Sequence, residues 1–138
     1  MWFLLLIAAC GGPGQGDGSE EALGLEAFSS GMWEQRALTI RAGLNEAVAM
    51  AETGEVEKQE VREFIHAVYT GSFEPELEKA IRQHLGARVA LELELAFGHF
   101  MKSITNRRTR KDTAEALSEK IGQAAGILES KAAGLRSE

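Results

Sequence analysis

WEQRALTIRAGLNEAVAMAETG, residues 33–54, is the stretch that decides the fold. Its apolar residues Trp33, Ala37, Ile40, Leu44, Ala47 and Ala51 follow one another at steps of four, three, four, three and four. A helix of about 3.6 residues per turn gathers such a series onto one stripe, whereas a strand would scatter it over both faces. Thr53-Gly54 ends the run, because glycine adopts the left-handed conformation that closes a helix. A stripe of this length has to be buried against others, and the rest of the chain supplies them.

Downstream, residues 56–70 place Val61, Phe64, Ile65 and Val68 on one helical face and then meet Gly71-Ser72, where the helix weakens. Pro75 suits the first turn of a new helix, since its ring fixes φ and its missing N–H is not needed there. Leu77, Ala80, Ile81 and Leu85 form that helix's inner face before Gly86 closes it. Residues 87–105 bury Val89, Leu93, Phe97, Phe100 and Ile104, and Leu91 with Leu95 predict a second covered side. Residues 106–111 read as a polar loop, after which Asp112 with Glu115 three places on predicts a helix start of capping-box type. The last helix carries Ala114, Leu117, Ile121, Ala124, Leu128 and Leu135. Upstream, residues 19–28 form a short helix or an extension of the first, with Ser29-Ser30-Gly31 as the interruption. No alternating strand pattern occurs, and the connections are short. The expected fold is therefore all-α: one domain over residues 19–138, an up-and-down four-helix bundle whose second helix is broken near Gly71 to Pro75.

Composition narrows the function. The 138 residues carry 15 Lys+Arg against 21 Asp+Glu, a formal charge of −6. Neutralising phosphates along a nucleic acid needs a surplus of cations, so no nucleic-acid partner is expected. A single cysteine makes neither an internal disulfide framework nor a four-thiolate zinc site. No apolar run reaches the roughly 20 residues that cross a bilayer as a helix.

The cysteine has a telling position. Residues 1–9 are apolar throughout and end in Ala8-Ala9, and Cys10 follows at once. This resembles a bacterial lipobox, in which small residues precede the cut and the thiol receives diacylglycerol. The resemblance implies that residues 1–9 are a lipoprotein signal peptide and that Cys10 is lipidated. Residues 10–18, dominated by glycine, then form a flexible tether. The expected location is extracytoplasmic, on a bacterial membrane facing the periplasm or in the outer membrane. Gly11 leans toward the outer membrane, because it is not the aspartate that favours inner-membrane retention in enteric bacteria. No Lys or Arg precedes the apolar run, so the reading frame is expected to begin upstream of Met1. The alternative is a buried apolar end with Cys10 as a small hydrophobe.

Catalytic signatures are sparse. No serine lies in a G-x-S-x-G elbow, and the glycine-rich stretch lacks the Lys and Ser or Thr of a phosphate loop. An enzyme is not expected. Metal binding is the open chemistry. Glu63 and His66 have the Glu-x-x-His spacing of carboxylate-bridged di-iron bundles, although those need two such pairs and further glutamates. Glu74, Glu76 and Glu78 cluster beside the helix break and suit a hard cation. Glu92 and Glu94 flank the apolar stripe of the following helix, with His99 near the Glu92 side. Each of these residues also fits an ordinary solvated helix rim. His84 reads as a surface residue, and residues 107–111, RRTRK, read as a solvated loop that alternatively meets anionic lipid headgroups.

Gly54, the segment Val68-Tyr69-Thr70-Gly71-Ser72-Phe73-Glu74-Pro75, then Leu77-Glu78, and Glu94-Leu95-Ala96-Phe97 further on resemble the extracytoplasmic helical domain of some bacterial iron/lead permeases. The family's second glutamate follows its Phe-Glu-Pro after one residue, whereas this chain has Glu76 immediately and Glu78 one place beyond. The permease's transmembrane helices have no counterpart here. The resemblance implies a free-standing domain accessory to metal uptake, which binds an iron-like or other divalent cation or docks on a permease. It implies cation contact at Glu74, Glu78 and Glu94, with Tyr69, Phe73 and Pro75 shaping the helix break. A structural or adaptor lipoprotein of the envelope without metal binding is the other expectation.

Overall fold

A computed structural model of the chain describes residues 31–136. Residues 1–9, Cys10, the tether and the helix expected over residues 19–28 lie outside the described residues. Helix α1 is Met32–Thr53, α2 is Lys58–Val68, α3 is Lys79–His84, α4 is Ala87–Ser103 and α5 is Arg110–Arg136. Between α2 and α3 the backbone stays helical but is π-wound over Tyr69–Glu78. These three pieces make one rod, so the described residues form four long helical members and no strand. Each member packs against the next and α5 closes on α1, which leaves α1 diagonal to α4.

The expected break in the second helix is thus a change of winding. Proline cannot donate an N–H, and its ring collides with the carbonyl four residues back in an α-helix. Widening the turn to i→i+5 bonding relieves the collision without ending the helix. Pro75 sits inside the π segment for this reason, and Gly71 and Ser72 offer little side-chain resistance to the wider turn.

The stripe read from residues 33–54 is the buried face of α1: Trp33, Ala37, Ile40, Leu44 and Ala47 are buried, and Val48 joins them. Phe73, Leu77 and Ile81 of the rod, Phe100 of α4, and Leu117, Ile121 and Leu128 of α5 complete a core of essentially zero exposure. Alanines 37 and 47 on α1 face a helix that buries Ala114, Ala124, Ala125 and Ala132, and these two helices pack along the most extensive seam of the described bundle. Gly54 and Gly86 close the turns at φ 72° and 109°, values that residues with a Cβ seldom adopt.

Several expectations are corrected. Leu91 and Leu95 point away from the bundle and are 52% and 65% exposed, because among the described residues α4 has neighbours only on its inner side. Ala90 is buried and Val89 is half-buried. Leu135 is also exposed, and Ala132 takes its inward place. The reason is length: Glu129 of α5 accepts hydrogen bonds from the backbone N–H groups of Gly31, Trp33 and Glu34, so Leu135, about 9 Å further along, lies past the first turn of α1. Finally, α5 begins at Arg110, which puts Asp112 inside its first turn rather than at a cap. Asn106 organises that start, its Oδ1 accepting from Arg108 N and its carbonyl from Thr109 N and Arg110 N.

Candidate functional site

The π segment carries the motif singled out in the sequence, and its winding decides what the motif can do. Tyr69 and Glu78 are nine residues apart. Nine steps of roughly 100° put two α-helical residues on opposite faces. At about 80° per residue, as i→i+5 bonding requires, nine steps return them to the same face. Tyr69 Oη accordingly donates a hydrogen bond to Glu78 Oε1 at 3.1 Å.

Around this bond the site is layered. On its apolar side Tyr69, Phe73 and Phe97 form a triangle with ring centroids 5.5, 5.1 and 5.0 Å apart, the Tyr69–Phe97 pair edge to face. On its polar side Arg82 Nη2 donates to Glu78 Oε2 at 2.9 Å and to Glu94 Oε2 at 3.0 Å. Glu78 is only 6% exposed, while Arg82 keeps about half of its side chain in solvent. One guanidinium therefore ties the rod to α4 and bonds two carboxylates at once, offsetting one of their two charges.

The electrostatics follow from this geometry. Burial raises the Glu78 carboxyl above the ordinary range, and the Glu94 carboxyl beside it pushes the same way. The bonds from Arg82 and Tyr69 oppose that shift without cancelling it. Burial also raises the Tyr69 phenol, and the charge and hydrogen bond of Glu78 raise it further, so its proton is held firmly. Arg82 in turn is held protonated by its bonds to Glu78 and Glu94.

Of the five residues expected to contact a cation, the structure brings Glu78 and Glu94 together and leaves the others apart. Glu74 is exposed at the start of the turn and reaches the cluster only as a charge acting on Tyr69. Glu63 and His66 are exposed on α2, where Glu63 accepts a 3.4 Å bond from Gln59 Nε2. Glu76 pairs with Arg36 of α1, and Glu92 pairs with Arg88 on its own helix. Among the described residues no three His, Cys, Asp or Glu side chains are grouped to hold a metal ion.

Arg82 escaped the sequence reading. Its one local signal was the i,i+4 spacing from Glu78, a pairing common on helix surfaces and silent about Glu94. No protein-family model matches this chain, and neither a curated protein nor a solved structure does. The likeness to the permease domain rests on the quoted residues alone.

Proposed function

We propose that the chain is a non-catalytic binding module of the bacterial envelope. In this reading acylated Cys10 moors the bundle outside the cytoplasm, and the bundle serves metal uptake by docking on a permease-like partner. The observation that carries it is the pair of hydrogen bonds that Arg82 donates to Glu78 and Glu94, which fills with an internal cation the place where an ion would sit. A carboxylate pair bridged in this way stiffens the junction between the rod and α4. Calorimetric titration of the full chain with ferrous, ferric and lead ions tests it, and no saturable binding is expected. Mass spectrometry of the protein from membranes should find diacylglycerol on Cys10, and an unmodified thiol on an uncleaved chain would overturn the anchored reading.

One observation favours a second reading, direct binding of the cation. Glu78 and Glu94 converge as oxygen donors on a single positive charge that is itself half in solvent, and Tyr69 Oη holds the other oxygen of Glu78. An arriving hard cation would displace Arg82 outward and take its carboxylates. Arg82→Met separates the two readings. Direct binding requires measurable affinity in the wild type that rises at least tenfold in the variant; docking requires none in the wild type.

A further inference from the structure

At the end of the bundle where the α1–α2 turn meets the α4–α5 turn there is a partly enclosed cavity of about 180 Å³, which shares no residue with the Arg82 cluster. Ala51, Val56, Val61 and Ile104 give it an apolar lining, and Lys58 and Arg110 add two cations without any carboxylate. Arg110 is the unusual member. It is 8% exposed, and of its five N–H groups Nη1 donates to the Ile104 carbonyl at 3.1 Å while Nε is buried without a partner. No carboxylate among the described residues forms an ion pair with it. A guanidinium does not shed its proton at any working pH, so burial leaves a full charge uncompensated, a costly arrangement that an anion would relieve.

The surroundings indicate which anion. The cavity is far larger than a halide needs and has room for a tetrahedral oxyanion. The first turn of α2, which starts at Lys58, has no side-chain cap, so its leading amides also face outward as donors. Arg107, Arg108 and Lys111 stand exposed on the adjoining turn, while Glu55 and Glu57 are exposed on the neighbouring one. The apolar lining suits the carbon arm of an ester.

We propose that this cavity is a site for a phosphate group, free or carried as a lipid headgroup, with Arg110 as its main counter-charge and Lys58 at its mouth. The test uses the full chain with Cys10→Ser, so that no acyl anchor contributes. At matched ionic strength, inorganic phosphate should raise Tm saturably, by about 3–8 °C near saturation. Arg110→Gln should abolish the rise, and Lys58→Gln, an exposed change that spares the fold, should weaken the apparent affinity about tenfold. Vesicles of phosphatidylglycerol against phosphatidylcholine separate the sources. Sedimentation with the anionic vesicles that Arg110→Gln cuts at least tenfold assigns a headgroup; a phosphate-dependent rise in Tm without vesicle binding assigns the free ion. If wild type and Arg110→Gln respond alike to both probes, or if Lys58→Gln leaves every response unchanged, the proposal fails.

Discussion

Two polar places in this bundle are built to opposite rules. In the middle, a buried carboxylate, Glu78, has its counter-charge supplied from within by Arg82 and its second bond by Tyr69. At the end, a buried guanidinium, Arg110, has a single carbonyl and, among the described residues, no anion. The first place is closed on itself, and removing one member exposes a cost already balanced. The second is open, and removing its charge takes away a cost. A buried charge thus serves as architecture when the fold supplies its partner and as a binding site when it does not.

That contrast can be broken most severely at the aromatic triangle under the closed site. Phe73→Ala removes a fully buried ring from the π segment and should cost about 3–5 kcal/mol, read as a lowered midpoint in urea unfolding. The contrast itself is sharpened by a matched pair, Arg82→Met and Arg110→Met, melted in phosphate-free buffer near neutral pH. The former should lower Tm, because Glu78 loses its cation, and the latter should leave Tm unchanged or raise it, because an unpaired buried charge is gone. Equal losses from the two would show that Arg110 has an internal partner after all. Tyr69→Phe is gentler: it keeps the ring contacts and deletes one hydrogen bond to a buried carboxylate, for about 1 kcal/mol of stability.

The smallest effect is a pH dependence with a definite sign. The Glu78 carboxyl is raised in the folded state, chiefly by burial. A raised group binds its proton more tightly when folded, so its contribution is fully present below the unfolded value of about 4.3 and is lost as pH rises through the folded one. Wild type minus Glu78→Gln should therefore fall in Tm from mild acid to neutral pH; a flat difference would mean that Arg82 offsets burial completely.

Packing offers a separate check on the same rod. A Cβ at Gly43 of α1 would lie 2.8 Å from a Val68 methyl carbon of α2, just ahead of the π segment. Overpacking by one methyl costs about 1–3 kcal/mol, against roughly 1 kcal/mol gained from alanine's helix propensity. Gly43→Ala should be neutral to destabilising, whereas Gly122→Ala on α5, with open space around it, should stabilise by close to the full propensity gain. Chemical denaturation of the two variants compares them directly.

Much of the candidate site's raw material was visible in the order of residues, and its assembly was not. Glu78 and Glu94 stood out as carboxylates in helical surroundings, and Tyr69, Phe73 and Pro75 as the residues of a disturbed turn. What kept the cluster hidden was phase. An α-helical count places Tyr69 and Glu78 on opposite faces, and nothing in the string announces ten residues of i→i+5 winding. Arg110 was hidden differently, by the company of Arg107, Arg108 and Lys111, which made a solvated loop the natural reading. Its burial depends on α5 starting before Asp112, which the Asn106 turn arranges.

The sequence alone determined that the chain would be helical and which stripes of most helices would be buried, because apolar periodicity is a local property that every turn of helix repeats. It also set the positions where turns close, through Gly54 and Gly86. Only the tertiary structure decided that the second helix rewinds instead of breaking, that Leu91, Leu95 and Leu135 stay outside, and which charges are matched. Those outcomes depend on distances between segments far apart in the chain, and charge compensation in particular is fixed by what lies within a few ångströms in space.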